Sequence, residues 1–64
     1  MKFYNASVVL EGEIKHYSGW GAYSIIEQLV DDKVIPRNYL EPREYASQKL
    51  KSLKINKIIT LAKL

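Results

Sequence analysis

Cysteine is absent from this sequence of only 64 residues, and this absence limits how the chain can be stabilised. A domain of about 60 residues buries only about 60% of the surface that its unfolded chain exposes, so such chains often depend on disulfides, a structural metal or a partner. Without cysteine, disulfides and thiolate-bound metals are excluded, and the single histidine does not make a structural zinc site. The chain, 1–64, is therefore expected to be one domain held by tight apolar packing, and self-association into a homodimer is expected as well, since an edge strand invites pairing.

The N-terminal part of the chain alternates between apolar and polar residues, which is typical of a half-buried strand. Gly12 interrupts the pattern and predicts a hairpin with a three-residue loop, 10–12, in which Gly12 takes the left-handed conformation. This loop pairs Val8 with Ile14 and keeps the even-numbered residues on one buried face through the turn. The predicted strands cover 2–9 and 13–17. One long bulged strand is the alternative.

The next segment has the spacing of an amphipathic helix, with apolar residues at i, i+3, i+4, i+7 and i+8. Ser18 is a candidate N-cap, and the pair Ile35-Pro36 is expected to end the helix because a residue before proline avoids the helical conformation. The pattern predicts a helix over 20–32. Its stripe consists of Ala22, Ile25, Ile26, Leu29 and Val30.

A second helix is expected from Pro42, which suits a first helical turn because its missing N–H has no partner there. The apolar face of this helix consists of Tyr45, Ala46, Leu50 and Leu53. The last segment, 55–64, fits either a helix or a strand. Its run of β-branched residues, together with the break at Asn56, favours the strand.

These elements predict an α+β domain in the order ββααβ: a β-hairpin, two helices and a C-terminal strand. Both helices are expected on one face of a small antiparallel or mixed three-stranded sheet. The predicted buried residues are Val8, Ile14, Ile26, Leu29, Leu50 and Ile59.

Charge is distributed unevenly along the chain. The net charge is +3, but residues 1–44 carry five basic and seven acidic side chains, whereas 45–64 carry five lysines and no acid. No apolar run is long enough to span a membrane or to act as a signal peptide, so a cytoplasmic protein with no membrane association is expected. The excess of lysine over arginine indicates AT-rich coding DNA, which is common in bacteriophages and mobile elements.

His16 is the single histidine, and its neighbours Glu13, Lys15 and Tyr17 are the residue types of a metal-independent ribonuclease. Catalysis also needs a nucleophile or its activator and a charge stabiliser in one pocket, and no spacing in the sequence shows that arrangement. Because the even-numbered residues of the hairpin are predicted to lie on the buried face, His16 is expected there too, which favours a structural role. The carboxylates at Asp31 and Asp32, and at Glu41 and Glu44, are expected to be solvated helix ends. The sequence therefore predicts no catalytic residue, no metal site and no cofactor, and we expect that the protein is not an enzyme.

Aromatic residues provide the candidate contact surface. Trp, Tyr and Arg dominate the energetics of protein interfaces. Three aromatic residues recur at i, i+3 and i+6 around the start of the first helix, and an arginine and a tyrosine follow it in the connector. The candidate partner-binding residues are Tyr17, Trp20, Tyr23, Arg37 and Tyr39. The favoured function is a non-catalytic interaction module that binds and modulates a protein partner, with a phage or mobile element as the expected source.

The alternative function is a small nucleic-acid-binding protein that uses the lysine-rich C-terminal third. Lysine makes phosphate contacts but distinguishes bases less well than arginine, so such binding is expected to be mostly non-specific and dependent on salt. The candidate residues are Lys49, Lys51, Lys54, Lys57 and Lys63.

Overall fold

A computed structural model describes residues 1–63 and has the predicted order ββααβ. The strands are β1 (Phe3–Leu10), β2 (Glu13–Trp20) and β3 (Thr60–Lys63), and the helices are α1 (Ala22–Asp31) and α2 (Ala46–Ile55). Two short 3-10 helices, Arg37–Leu40 and Arg43–Tyr45, connect α1 to α2. The sheet order is β2-β1-β3, and both pairings are antiparallel. Both helices pack against the sheet, as the α+β prediction requires.

The hairpin turn differs from the predicted three-residue loop. Glu11 and Gly12 alone form the turn, with φ of 52° and 79°. Positive φ at both central residues defines a type I′ turn, whose twist matches that of the flanking strands. The register therefore pairs Val8 with Lys15 and Val9 with Ile14. Because one residue of slip moves every side chain to the other face, the predicted buried position of Ile14 is wrong.

β2 also continues further than predicted, to Trp20, and α1 begins only at Ala22. Ser18 pairs with Asn5 within the sheet and does not cap the helix. Gly21 stands at the N-cap, where its φ of 83° suits a residue without a side chain. The helix is joined to the end of β2 by Gln28, whose side-chain amide donates hydrogen bonds to the carbonyl oxygens of Ser18 (3.0 Å) and Ser24 (3.2 Å).

Both helices end in the same way. After α1, the N–H of Lys33 donates to the carbonyl of Val30 (3.0 Å), and the N–H of Val34 donates to that of Leu29 (2.9 Å). This pair of bonds is the Schellman motif, and Lys33 has the positive φ, 60°, that the motif needs. α2 repeats the motif with Lys57, also at φ 60°. α1 thus ends at Asp31, several residues before the proline that was expected to end it.

The core lies between the helices and one face of the sheet. The predicted stripe of α1 is confirmed, since Ile25, Ile26 and Leu29 are completely buried and Val30 packs against them. Five of the six residues predicted to be buried are buried, and Ile14 is the exception. The helix predicted to begin at Pro42 starts as a 3-10 turn, and Tyr45 is exposed at the point where α2 begins. The core residues are Ala6, Val8, Tyr17, Ala22, Ile25, Ile26, Leu29, Ile35, Ala46, Leu50, Leu53 and Ile59.

The C-terminal segment is a strand, as expected, but it is shorter than 55–64. Ile55 ends α2, and β3 begins at Thr60. Leu64, the last residue of the predicted strand, lies outside the described residues. Within 1–63, no helix combines the length and the apolar character that crossing a bilayer requires.

Candidate interaction surface

One face of the sheet is covered by the helices and the other is open. On β1 the even-numbered residues face the core, so Ala6 and Val8 are buried, whereas Val9 is 68% exposed. Cross-strand pairing assigns the partners of the odd-numbered residues to the open face. We call this surface the open face. Its members are Phe3, Asn5, Ser7, Val9, Ile14, His16, Ser18, Trp20, Thr60 and Ala62.

The open face differs from the rest of the chain in its content of acidic and basic residues. Of the described residues, 1–63, those that form the open face include no Lys, Arg, Asp or Glu, although 27% of the chain is charged. The solvent-facing side of an antiparallel sheet ordinarily carries polar and charged residues. An uncharged face with several exposed apolar side chains has the composition of a protein interface.

Aromatic residues form one end of the open face. The rings of Phe3 and Trp20 pack edge to face, with 5.1 Å between their centroids. Trp20 is 64% exposed even so. Such geometry is favourable for aromatic pairs, so the two rings stabilise each other, and we call this pair the aromatic knob.

Aliphatic residues form the opposite end. Val9 and Ile14 are directly paired, and Ile14 is 64% exposed. Next to them, a hollow of about 280 Å³ is bordered by Ile58 and Thr60. Large exposed aliphatic side chains around a hollow can receive an apolar side chain from a partner.

His16 lies on the open face and not on the covered one. The two-residue turn pairs it with Ser7, and its side chain is exposed. The prediction that His16 shares the buried face is therefore wrong, for the same reason as for Ile14. Among the described residues, no group of three His, Asp or Glu side chains is arranged to hold a metal ion.

Tyr17 belongs to the core rather than to a contact surface, since only 6% of it is exposed. Its hydroxyl donates a hydrogen bond of 2.6 Å to Asp32 Oδ2 and so ties β2 to the end of α1. Burial raises the pKa of Tyr17 to about 12, with further contributions from the hydrogen bond to Asp32 and from the charge of that carboxylate. This side chain holds the covered face to the helical layer.

The other predicted contact residues do not form one surface. Trp20 alone lies on the open face. In the helical layer, on the other side of the sheet, the Arg43 guanidinium stacks over the ring of Tyr23 at 4.3 Å. Tyr39 packs against the core, and Arg37 is exposed in the connector. The i, i+3, i+6 spacing does not bring the aromatic residues together because Tyr17 and Trp20 are in a strand, on opposite faces.

The predicted lysine patch is divided among separate positions. Lys49 Nζ donates hydrogen bonds to the carbonyl oxygens of Tyr39 (3.1 Å) and Glu41 (2.5 Å), so it fastens the connector to α2. Lys51 and Lys54 line a cleft of about 160 Å³ between α2 and the sheet. Lys2, which sequence reasoning did not include, also lines that cleft. Lys57 borders the hollow at the aliphatic end. Lys63 is in β3, and its side chain lies outside the described part of the structure.

The sequence contains one signal for the open face, which is the lack of charged residues at alternate positions of both hairpin strands. The odd-numbered residues of β1 are uncharged, as are the even-numbered residues 14, 16, 18 and 20 of β2. Pairing these two sets requires the two-residue turn at Glu11-Gly12. No protein family, no curated protein and no solved structure matches this chain.

Proposed function

We propose that this protein is an interaction module that binds a protein partner through the open face. The observation that carries the proposal is the complete lack of Lys, Arg, Asp and Glu among the described residues of a three-stranded surface, in a chain that is charged elsewhere. Charged residues are depleted at the centre of protein interfaces because their desolvation is costly. The partner is accordingly a protein with a matching apolar, uncharged surface.

Trp20 is the expected anchor of the interaction. It is largely exposed, it is held by Phe3, and tryptophan is enriched among the residues that contribute most to binding. The small polar residues at the centre of the face, such as Ser7 and Ser18, allow a partner backbone or side chain to approach closely. We further propose that the protein binds without catalysing a reaction, because a chain of 64 residues has only a small core on which to fix a catalytic group.

The nucleic-acid alternative draws less support from the fold. A nucleic acid is bound by a contiguous basic surface that follows the phosphate backbone. Of the lysines proposed for this role, Lys51 and Lys54 line the cleft and Lys57 borders the hollow, whereas Lys49 is engaged with main-chain carbonyls of the connector. Among the described residues that form the open face, none is Lys or Arg.

Photo-crosslinking in the native host tests the proposal. A photoreactive phenylalanine analogue is introduced at Val9 or Ile14 on the open face and, as the matched control, at Glu27, which is exposed on α1. We expect a discrete protein adduct from the two open-face positions and none from Glu27. Ser7→Lys, which introduces a charge at the centre of the face, is expected to abolish the adduct.

Circular dichroism of each variant establishes that the fold is retained before the adducts are compared. Equal adducts from the open face and from Glu27, or adducts that survive Ser7→Lys in a folded protein, would contradict the proposal. A complex with RNA or DNA that is lost in a Lys51→Gln, Lys54→Gln double variant, without any protein adduct, would contradict it as well.

A further inference from the structure

The polarity of the open face is arranged in layers along the strands. Each layer is a cross-strand pair of β1 and β2, and the order from one end to the other is aromatic, polar, polar, aliphatic. The four layers are Phe3–Trp20, Asn5–Ser18, Ser7–His16 and Val9–Ile14. When this order is reversed, apolar layers again stand at both ends and polar layers again stand between them. Two such faces therefore match each other when one of them is reversed.

We infer that the partner of the open face is a second copy of this chain, packed face to face with the strands of the two copies antiparallel. This inference rests on the proposed function and specifies which protein binds the open face. The two-fold axis runs across the strands, between the second and third layers. Trp20 then lies over Ile14 of the second copy, and Phe3 lies over Val9 of the second copy. The polar layers also meet, so that Asn5 lies over Ser7 of the second copy.

Shape supports the same arrangement. Trp20 of the aromatic pair is exposed, and the aliphatic end has a hollow beside Val9, Ile14 and Ile58 that Lys57 also borders. In a two-fold interface, the aromatic knob of each copy lies against the hollow of the other copy. The same apolar contact is therefore made twice. Two sheets pack about 10 Å apart, which is the thickness of two interdigitated layers of side chains.

Charge supports a second copy rather than a partner of opposite charge. A two-fold interface uses the same face of both copies, so each position of the face is buried once in each copy. A charged residue on this face would therefore be desolvated twice over. The open face avoids this cost, and it offers no charge pattern for a partner of opposite sign to recognise.

The free edge of β2 is a less suitable site for self-association. Glu13 and Lys15 are exposed on this strand, and charged residues on an edge strand oppose pairing with a further strand. The open face measures about 27 Å along an eight-residue strand and about 14 Å across three strands. Such a footprint is smaller than the roughly 800 Å² per partner of a standard interface, so we expect a dimer with Kd in the micromolar range.

Sedimentation equilibrium with complementary charge variants tests both the surface and the register. Asn5→Lys or Ser7→Asp alone sets an unpaired charge against a polar residue of the second copy, and each is expected to raise Kd by at least about tenfold. Mixing the two variants pairs Lys at 5 with Asp at 7 across the interface. We expect the mixture to form a heterodimer with Kd at least about threefold lower than that of either variant alone. Glu27→Lys, on exposed α1, serves as the control and is expected to leave Kd unchanged.

A mixture of Asn5→Lys with Asn5→Asp distinguishes the other symmetry. If the two-fold axis ran along the strands, residue 5 would lie over residue 5, and this second mixture would be the one that associates; that result overturns the inference. A wild-type chain that is monomeric at about 500 µM overturns it too, as does a dimer that all single variants retain. Urea denaturation of each single variant establishes that it is folded.

The proposed function and the inference fail in different ways. A monomeric wild-type chain whose open face still crosslinks to another protein overturns the second copy as partner and supports the proposed function. A monomeric chain whose open face gives no adduct contradicts both. A dimer with the expected register, together with an adduct of twice the chain mass, supports both.

Discussion

The two faces of this sheet share the same three strands and the same backbone, yet they differ in what the side chains contribute. On the covered face Val8 is buried beneath the helices, and on the open face its neighbour Val9 is mostly exposed. The covered face therefore contributes to folding, and the open face is available for binding. The contrast shows how neighbouring residues of one strand are divided between a buried core and an exposed surface, because alternate residues of a strand point to opposite sides.

Truncation of two neighbouring valines, Val8 and Val9, tests this contrast between the two faces directly. Val8→Ala removes two buried methyl groups and leaves a cavity, so we expect it to lower the free energy of unfolding by roughly 1.5–3 kcal/mol. Val9→Ala removes the same groups from an exposed position one residue away and is expected to cost less than about 1 kcal/mol. Urea denaturation of both variants measures the difference. Equal losses would mean that the open face is not open in the folded protein.

Loss of the hydrogen bond between Tyr17 and Asp32 is expected to have the next largest effect on the free energy of unfolding. Tyr17→Phe removes a side-chain hydrogen bond that fastens the covered face to α1, and we expect it to cost about 1–1.5 kcal/mol at neutral pH. The comparison variant is Tyr23→Phe, whose hydroxyl has no hydrogen bond among those described for residues 1–63. If both variants were equally stable, the hydrogen bond would not stabilise the fold.

The same tyrosine predicts a dependence on pH. Its pKa is raised from 10.0 to about 12 in the folded chain, first by burial and then by Asp32. A raised pKa means that the folded state holds the proton more tightly than the unfolded state. The stabilisation is therefore complete below pH 10.0 and is lost as the pH rises towards about 12. The difference in unfolding free energy between wild type and Tyr17→Phe, measured across this range, should shrink; a constant difference would contradict the assignment.

The smallest expected effect concerns the end of α1, in the helical layer. Lys33 adopts a positive φ, which costs a residue with a side chain more than it costs glycine. Lys33→Gly is expected to raise the free energy of unfolding by about 0.5–1 kcal/mol. Lys33→Ala retains the Cβ and is expected to change it by less than about 0.5 kcal/mol, so the pair separates backbone strain from the loss of charge. Thermal unfolding of both variants measures the effect.

Local sequence patterns were sufficient for much of the fold. The 3.6-residue stripe of α1 predicted its buried residues, because a helix has one face towards the core regardless of what covers it. Alternation predicted a hairpin, and the β-branched residues near the C-terminus predicted a strand. These signals are local, and each depends on a few consecutive residues.

The candidate surface could not be predicted in the same way. Its members depend on the register of β2, and the register depends on whether the turn contains two residues or three. Both turns are compatible with Gly12 and with alternation, but they place Ile14 and His16 on opposite faces. The interpretation that the aromatic spacing around residue 20 forms one surface was wrong for a related reason. That interpretation assumed a helix in a segment that remains a strand through Trp20.

By itself, the sequence determined the element order, the buried stripe of α1 and the exclusion of disulfides, because these follow from periodicity and from residue type. Only the tertiary structure decided which face of the sheet the helices cover and which residues are left to form the open face. It also decided that Lys2 from the N-terminus lies in the same cleft as Lys51 and Lys54, while Lys49 is bonded to carbonyls of the connector. The physical reason is that a surface is assembled from residues distant in sequence, and the pairing of β1 with both β2 and β3 sets their positions.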